Sequence, residues 1–192
     1  AKKKKLIIFS SPFDETAVDF LEKLNVPAYK VASFEINHIP LLKRIAKTRK
    51  PVILSTGLAS YVDIKNAIQT LKKNGCKRVA ILKCTSSYPA KASDLNLRTI
   101  DQMKKKFNCE VGFSDHTIDH EAAKICSSLG GRIIEKHFTI NKKLPGPDQK
   151  TSILPDDFKE LISQVRKTEL ILGQPVKECQ KEELEMKKIS RK

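Results

Sequence analysis

The chain has 192 residues, 37 of them basic and 22 acidic, and a formal net charge of +15 at pH 7. This length suits one ordinary domain, or part of a larger one, and the 40% hydrophobic fraction excludes a disordered chain. No apolar run approaches the roughly 20 residues of a membrane span. The lysine-rich start, residues 1–5, lacks the apolar segment of a secretory signal. We therefore expect a basic globular domain that does not enter a membrane.

The positive charge does not by itself indicate a nucleic-acid partner. Lysine blocks such as 2–5 and 104–106 can attract anions, but most lysines are interspersed with Glu and Asp in helix-like stretches. There is no RNA-binding aromatic signature, so we expect no specific nucleic-acid partner. The five cysteines include no Cys-x-x-Cys pair, which favours a reducing cytoplasm over a disulfide framework.

The chain alternates short apolar runs with amphipathic stretches, a pattern typical of a parallel α/β sheet. The apolar runs predict buried strands over residues 6–10, 28–33, 51–56, 78–84, 110–114 and 132–138. The amphipathic stretches predict helices over 14–24, 61–74, 97–107, 121–129 and 156–172.

Two closures of such a sheet are possible, and the residues that follow the strands favour a barrel. An open doubly wound sheet that binds a nucleotide would need a Gly-rich strand-to-helix turn, which the sequence lacks. Polar side chains instead follow every predicted strand, as in a TIM (β/α)₈ barrel. Six strands are present, so we expect residues 1–172 to form six of eight strands, without the first two βα units, and 173–192 to be a linker.

Two histidines directly follow neighbouring predicted strands. His116 and His137 are close enough in such a sheet to share one metal ion, although either can instead be a core histidine bonded to backbone. His38 and His120 fall in loop or helix-start positions and are expected at the surface.

Further polar residues end the strands. Lysine and hydroxyl groups at a barrel mouth suit a phosphate. The candidates are Lys30, Ser33, Ser55, Ser86 and Ser114. Lys83 can join this set or point outward. Each serine is equally compatible with a turn. Three polar residues just beyond strand ends suit sugar hydroxyls or loop caps: Glu35, Tyr88 and Asp148.

Taken together, these segments resemble the nonulosonate synthases, the sialic acid synthase family, which includes N-acetylneuraminate, legionaminate and pseudaminate synthases. The matching stretches occur in family order at residues 9–14, 28–35, 51–57, 83–89, 111–117, 135–139 and 145–148. The tail near Arg191 resembles the linker toward the family's C-terminal antifreeze-like domain.

The resemblance implies a metal-dependent barrel enzyme that condenses phosphoenolpyruvate with an N-acetylated hexosamine in its open-chain form and releases phosphate. Carried over by position, His116 and His137 would bind Mn²⁺ or Mg²⁺. Lys30 would act in catalysis and, with Ser33, Ser55, Ser86 and Ser114, hold phosphoenolpyruvate; Glu35, Tyr88 and Asp148 would hold the sugar. The family commonly forms homodimers.

The family's first two strands are absent here, together with a glutamate proposed as acid/base, so we expect the chain alone to be inactive. The choice of nonulosonate stays open, because the sequence around Phe34 resembles pseudaminate synthases and the loop 145–148 resembles the other branches. Two alternatives remain: another metal-dependent aldolase or 3-deoxy-sugar phosphate synthase, and an inactive basic fragment with a binding role.

Overall fold

A computed structural model describes residues 2–190 and contains one parallel sheet. Five strands lie in the order in which they occur along the chain, and each pairs in parallel with the next. They are β1 (Tyr29–Val31), β2 (Val52–Ser55), β3 (Val79–Cys84), β4 (Glu110–Asp115) and β5 (Ile134–Lys136). The carboxyl ends of all five therefore meet at one edge of the sheet.

Helices connect the strands and cover one face of the sheet. They are α1 (Glu15–Lys23), α2 (Ile39–Lys47), α3 (Tyr61–Lys73), α4 (Thr99–Phe107), α5 (Glu121–Ser128), α6 (Pro155–Leu172) and α7 (Leu184–Ser190). Within residues 2–190, none of these helices has the length and apolar character needed to cross a membrane.

The main core lies between the sheet and its helices. Strand residues that point toward the helices are fully buried; the largest are Tyr29, Leu54, Ile81 and Phe113. On the other face, Ile53 and Ala80 are only partly buried. The protein is thus a parallel α/β half-barrel, which agrees with the predicted fold class and is consistent with part of a TIM barrel.

The predicted first strand, residues 6–10, is reduced to a single bridge between Ser10 and Tyr29. Leu6, Ile7 and Ile8 are 66%, 77% and 63% exposed. Their side chains have no core to pack into, because the sheet ends at this edge in the described part of the chain. Within residues 2–190 the structure accordingly has five strands, whereas the apolar runs predict six.

Helix α2 is an element that the sequence pattern did not predict. It begins at Ile39 next to Pro40, and no side chain caps its start. It nevertheless buries Leu41, Leu42 and Ile45. The usual start signal of Ser, Thr, Asp or Asn is missing, and tertiary burial supplies the stability instead.

The other element boundaries agree with the sequence to within a few residues. The Asn74-Gly75 stop signal ends α3, with Gly75 at φ +114°. Strand β5 is shorter than predicted, so His137 lies just beyond it. The proposed linker, residues 173–192, contains the short exposed helix α7, and its last two residues lie outside the described part.

Candidate active site

A cavity of about 210 Å³ opens at the carboxyl edge of the sheet. It is bordered by residues at the ends of β1, β4 and β5 and in the segment that precedes α1. Its lining residues are Ser11, Lys30, Ser114, His116, Glu135, Lys136 and His137. Four of the residues predicted from the strand ends, Lys30, Ser114, His116 and His137, thus border one space.

Lys30 links three strands at the floor of this cavity. Its Nζ donates to Ser55 Oγ of β2 at 2.7 Å and lies 3.5 Å from Glu135 Oε1 of β5. Ser114 Oγ of β4 also donates to Glu135 Oε1, at 2.7 Å. One cation and one hydroxyl group therefore contact the carboxylate of Glu135, and a second hydroxyl, that of Ser55, accepts from the same cation.

Two more predicted serines meet around Gly57. The backbone N–H of Gly57 donates to Ser33 Oγ at 2.9 Å. A Cβ atom at Gly57 would overlap Ser86 Oγ and lie 2.8 Å from Ser33 Oγ, so only glycine leaves room for both hydroxyls. Ser33 and Ser86 consequently converge, although neither borders the cavity itself.

The rings of His116 and His137 have their centres 5.4 Å apart. His116 Nδ1 lies 2.8 Å from the carbonyl oxygen of Thr85. Because a carbonyl oxygen only accepts hydrogen bonds, Nδ1 is the donor, and in the neutral imidazole Nε2 then keeps its lone pair. His137 Nδ1 lies 3.8 Å from Asp148 Oδ2.

This pair fits one divalent metal ion. A ligating imidazole typically donates its second ring nitrogen to a carbonyl or carboxylate, as His116 does here. Within the described residues, no set of three or more His, Cys, Asp and Glu is arranged around one metal position. An ion held by the two imidazoles would therefore keep coordination positions open for substrate and water.

Cys84 is a site residue that sequence analysis missed. Its Sγ lies 4.0 Å from His116 Nδ1, and in the strand register Cys84 is paired with Ser114. Burial raises the pKa of the thiol, but interactions with His116, Ser33 and Ser114 outweigh that effect and lower it. Burial likewise lowers the pKa of His116, while Cys84 and the Thr85 carbonyl raise it above its ordinary value.

The three residues predicted to hold a sugar are not all together. The Tyr88 ring lies 4.2 Å from the His116 ring and 5.6 Å from the His137 ring, and Asp148 contacts His137. Glu35 follows β1 on a short 3₁₀ turn and does not border the cavity. Its Oε2 is shielded from solvent and has no hydrogen-bond partner among the described residues, so it can accept a donor from a ligand.

The structure decides the placement of two further residues. Lys83 does not border the cavity: its Nζ bonds to Cys84 O at 2.9 Å and to Thr85 Oγ1 at 3.1 Å, and burial lowers its pKa. Glu135, at the centre of β5, is the carboxylate that Lys30 and Ser114 share. Strand alternation, once the register is known, explains both placements.

These features define an α/β half-barrel protein with a polar site at the carboxyl edge of its sheet. The NeuB family matches residues 1–177, and the chain belongs to that family. The resemblance to the nonulosonate synthases is thereby confirmed at the level of the family.

Two curated relatives illustrate the match. The chain is 40% identical over 194 aligned positions to N,N'-diacetyllegionaminic acid synthase of Campylobacter jejuni. That alignment covers all of this chain and 58% of the relative. The chain is 40% identical over 174 residues to pseudaminic acid synthase of Helicobacter pylori, covering 91% of this chain and 51% of that protein. The chain thus spans little more than half of either relative.

A solved structure shows the same fold. The N-acetylneuraminic acid (sialic acid) synthetase of Leptospira borgpetersenii superposes with a TM-score of 0.90 at 34% identity, over 98% of this chain and 66% of that chain. The half-barrel of this chain therefore has the same arrangement as the matched region of that structure.

Proposed function

We propose that this chain carries the substrate site of a nonulosonate synthase. The reaction joins phosphoenolpyruvate to an N-acetylated sugar aldehyde of the N-acetylmannosamine type and releases phosphate. The observation that carries the proposal is the cavity bordered together by Lys30, its partner Glu135 and the two neighbouring imidazoles. The names of the relatives support the kind of product.

Phosphoenolpyruvate would bind at the lysine and hydroxyl side of the site. Lys30 is the cation, and its contact with Ser55 aims the ammonium toward the cavity. Ser33 and Ser86 converge on Gly57, where two hydroxyls and a backbone N–H are close together. Ser114 completes the set from β4. Such directed donors around a point charge suit phosphate and carboxylate oxygens.

The sugar aldehyde would bind at the histidine side. His116 and His137 would hold a divalent metal, Mn²⁺ or Mg²⁺, which when bound supplies Lewis acidity to the aldehyde oxygen. Tyr88 and Asp148, next to the two rings, would bind sugar hydroxyls, and Glu35 would add an acceptor.

The chemistry would proceed by attack of C3 of phosphoenolpyruvate on the aldehyde carbon. Positive charge then develops at C2, water adds there, and the tetrahedral intermediate expels phosphate by C–O cleavage. Glu135 would accept the proton that the attacking water loses, since its carboxylate lies in the cavity with Lys30 and Ser114, and one proton is taken up by the alkoxide formed from the aldehyde, so that the two balance. Lys30 stabilises the phosphate before and after that step.

Several wider features belong to the same proposal. Residues 1–172 are the barrel part and 173–192 a linker toward a further domain. The native polypeptide, meaning the protein as it occurs in the cell, is a homodimer. The 192-residue chain alone is inactive, since β1 and β5 have no further strand beside them among the described residues. The five free cysteines support a reducing compartment such as the cytoplasm.

Product analysis tests the proposal. The native polypeptide, incubated with phosphoenolpyruvate, N-acetylmannosamine and Mn²⁺, should release phosphate and form a nine-carbon acid detectable by mass spectrometry. His116→Ala should abolish the product. A product formed only with an aldose phosphate in place of the N-acetylated sugar would instead identify a 3-deoxy-sugar phosphate synthase. Salt-sensitive DNA binding without any product would identify a binding protein.

A further inference from the structure

A fully buried ion pair lies directly behind the two histidines. Lys136 Nζ is 2.7 Å from Asp115 Oδ2, and the two side chains are 2% and 0% exposed. Asp115 immediately precedes His116 on β4, and Lys136 immediately precedes His137 on β5. Because side chains alternate along a strand, this pair points away from the face that carries the histidines.

The pair is completely hydrogen-bonded. Lys136 Nζ also donates to the carbonyl oxygens of Thr117 at 2.7 Å and Asp119 at 3.1 Å. Asp115 Oδ1 accepts from the backbone N–H and the hydroxyl of Thr117, at 2.8 and 2.7 Å. The loop that follows His116 is thereby fastened to the end of β5.

The pair occupies the last register position of the two strands. Asp115 and Lys136 form the final backbone pair between β4 and β5, so no ladder hydrogen bond connects these strands beyond them. The carbonyl of His116 accepts from Ala90 N at 3.0 Å, and that of His137 accepts from Ile153 N at 2.8 Å. Those bonds hold each histidine to a different segment and do not join the two to one another.

Burying two charges is costly, and well-packed apolar residues usually stabilise a fold as well or better. A buried pair at this position is therefore better explained by what it positions than by stability. We propose that Asp115 and Lys136 are positioning residues that set the separation and orientation of His116 and His137, so that both imidazoles can ligate one divalent ion. This inference rests on the proposed function, because it assigns a support to the same metal site.

The test uses the native polypeptide and measures Mn²⁺ affinity by electron paramagnetic resonance. The double variant Asp115→Asn with Lys136→Met removes both charges and leaves similar side-chain volumes, so no lone charge stays buried. We expect it to bind Mn²⁺ about 10- to 100-fold more weakly, the range found when outer-shell partners are lost. The ring ¹⁵N shifts of both histidines, recorded without metal, should change in the same variant.

A matched control removes a different ion pair. Asp19→Asn with Arg44→Met makes the same pair of charge changes at the surface salt bridge between α1 and α2. It should leave Mn²⁺ affinity and the histidine spectra unchanged. An equal loss of affinity in this control would overturn the inference, because the effect would then not be specific to the buried pair.

A milder variant keeps the test decisive if the double variant does not fold. Thr117→Val retains both charges but removes the hydroxyl that donates to Asp115. It should weaken Mn²⁺ binding several-fold, and unchanged affinity would overturn the inference.

If His116→Ala abolishes Mn²⁺ binding while the folded double variant binds normally, only this inference fails. If His116→Ala binds Mn²⁺ normally, the metal site of the proposed function fails as well.

Discussion

The ammonium group of Lys30, on β1, contacts Ser55 of β2 and Glu135 of β5 in the cavity. The residue is only 8% exposed, and its charge is balanced by the single carboxylate of Glu135, whose side chain is 40% exposed. A largely buried cation with one partly solvated partner retains attraction for a further anion. At the residue scale, Lys30 is therefore the group on which binding of phosphoenolpyruvate should depend most.

The variant Lys30→Met tests this dependence. Loss of a charge-assisted hydrogen bond should weaken phosphoenolpyruvate binding by roughly 10- to 100-fold, measured by titration calorimetry on the native polypeptide. Lys83→Met is the matched control, because Lys83 is also partly buried at a strand end but bonds outside the cavity. Equal losses in both variants would show that general positive charge, and not the position of Lys30, attracts the ligand.

The contrast between Lys30 and Lys83 shows how far a single residue can be predicted. Both lysines lie close to the carboxyl end of a predicted strand, and strand ends identify such positions from sequence. Which face a side chain points to follows from strand alternation together with register. Register between strands is a long-range property, so the sequence left Lys83 undecided and missed Cys84.

At the scale of elements, local signals predicted helices well when a cap or stop residue was present. Ser60 and Asp63 form a reciprocal capping box at the start of α3, and Asp14 caps α1. Helix α2 lacks such a signal and was missed. Its apolar residues alternate with lysine and arginine, and only their packing shows that they form a buried face.

Helix α1 is attached to the sheet through Glu22. Its Oε1 accepts from Tyr29 OH of β1 at 2.7 Å and from Lys50 Nζ, which precedes β2, at 2.6 Å. Burial raises the pKa of Glu22, but the hydrogen bonds from Lys50 and Tyr29 outweigh it and lower the pKa below its ordinary value of 4.5. The ionised form therefore stabilises the fold.

This attachment predicts a pH-dependent loss of stability. A carboxyl whose pKa is lowered on folding contributes fully above the pKa it has in the unfolded chain, and the contribution disappears as the pH falls through the lowered value. Glu22→Gln should reduce the free energy of unfolding by about 1 kcal/mol at pH 7, since the groups are partly solvated. The difference from wild type, measured by urea denaturation, should shrink below pH 4.5.

The exposed residue Glu182 provides the control. Glu182→Gln should have no effect on unfolding at either pH, because this side chain makes no salt bridge among the described residues. A Glu22→Gln difference that stayed constant from pH 7 to pH 3 would contradict the role given to the ionised carboxylate.

At the scale of the whole molecule, the sheet has helices on one face, and within residues 2–190 its outer strands β1 and β5 each have a strand on one side only. The edge at β1 is bordered by the exposed apolar residues Leu6, Ile7 and Ile8. Exposed strand edges next to apolar side chains promote association between chains. The 192-residue chain should therefore self-associate at this edge.

The variant Ile7→Lys should reduce that association. Ile7 is 77% exposed, so a charge there costs little stability and should raise the monomer fraction in sedimentation velocity without changing Tm. Val62→Lys makes the same change at a 65% exposed residue of α3, away from the edge, and should leave the monomer fraction unchanged. A similar response in both variants would indicate that net charge, not the edge, controls association.

The sequence by itself determined the alternation of strands and helices, the parallel α/β class and the residues at the strand ends, because these depend on local periodicity and on the order of elements. The family resemblance extended this to a proposed substrate site. Only the tertiary structure decided that Glu135 is shared by Lys30 and Ser114, and that Asp115 pairs with Lys136 behind the histidines. These contacts join residues about 20 or more positions apart, and strand register, which no local pattern encodes, brings them together.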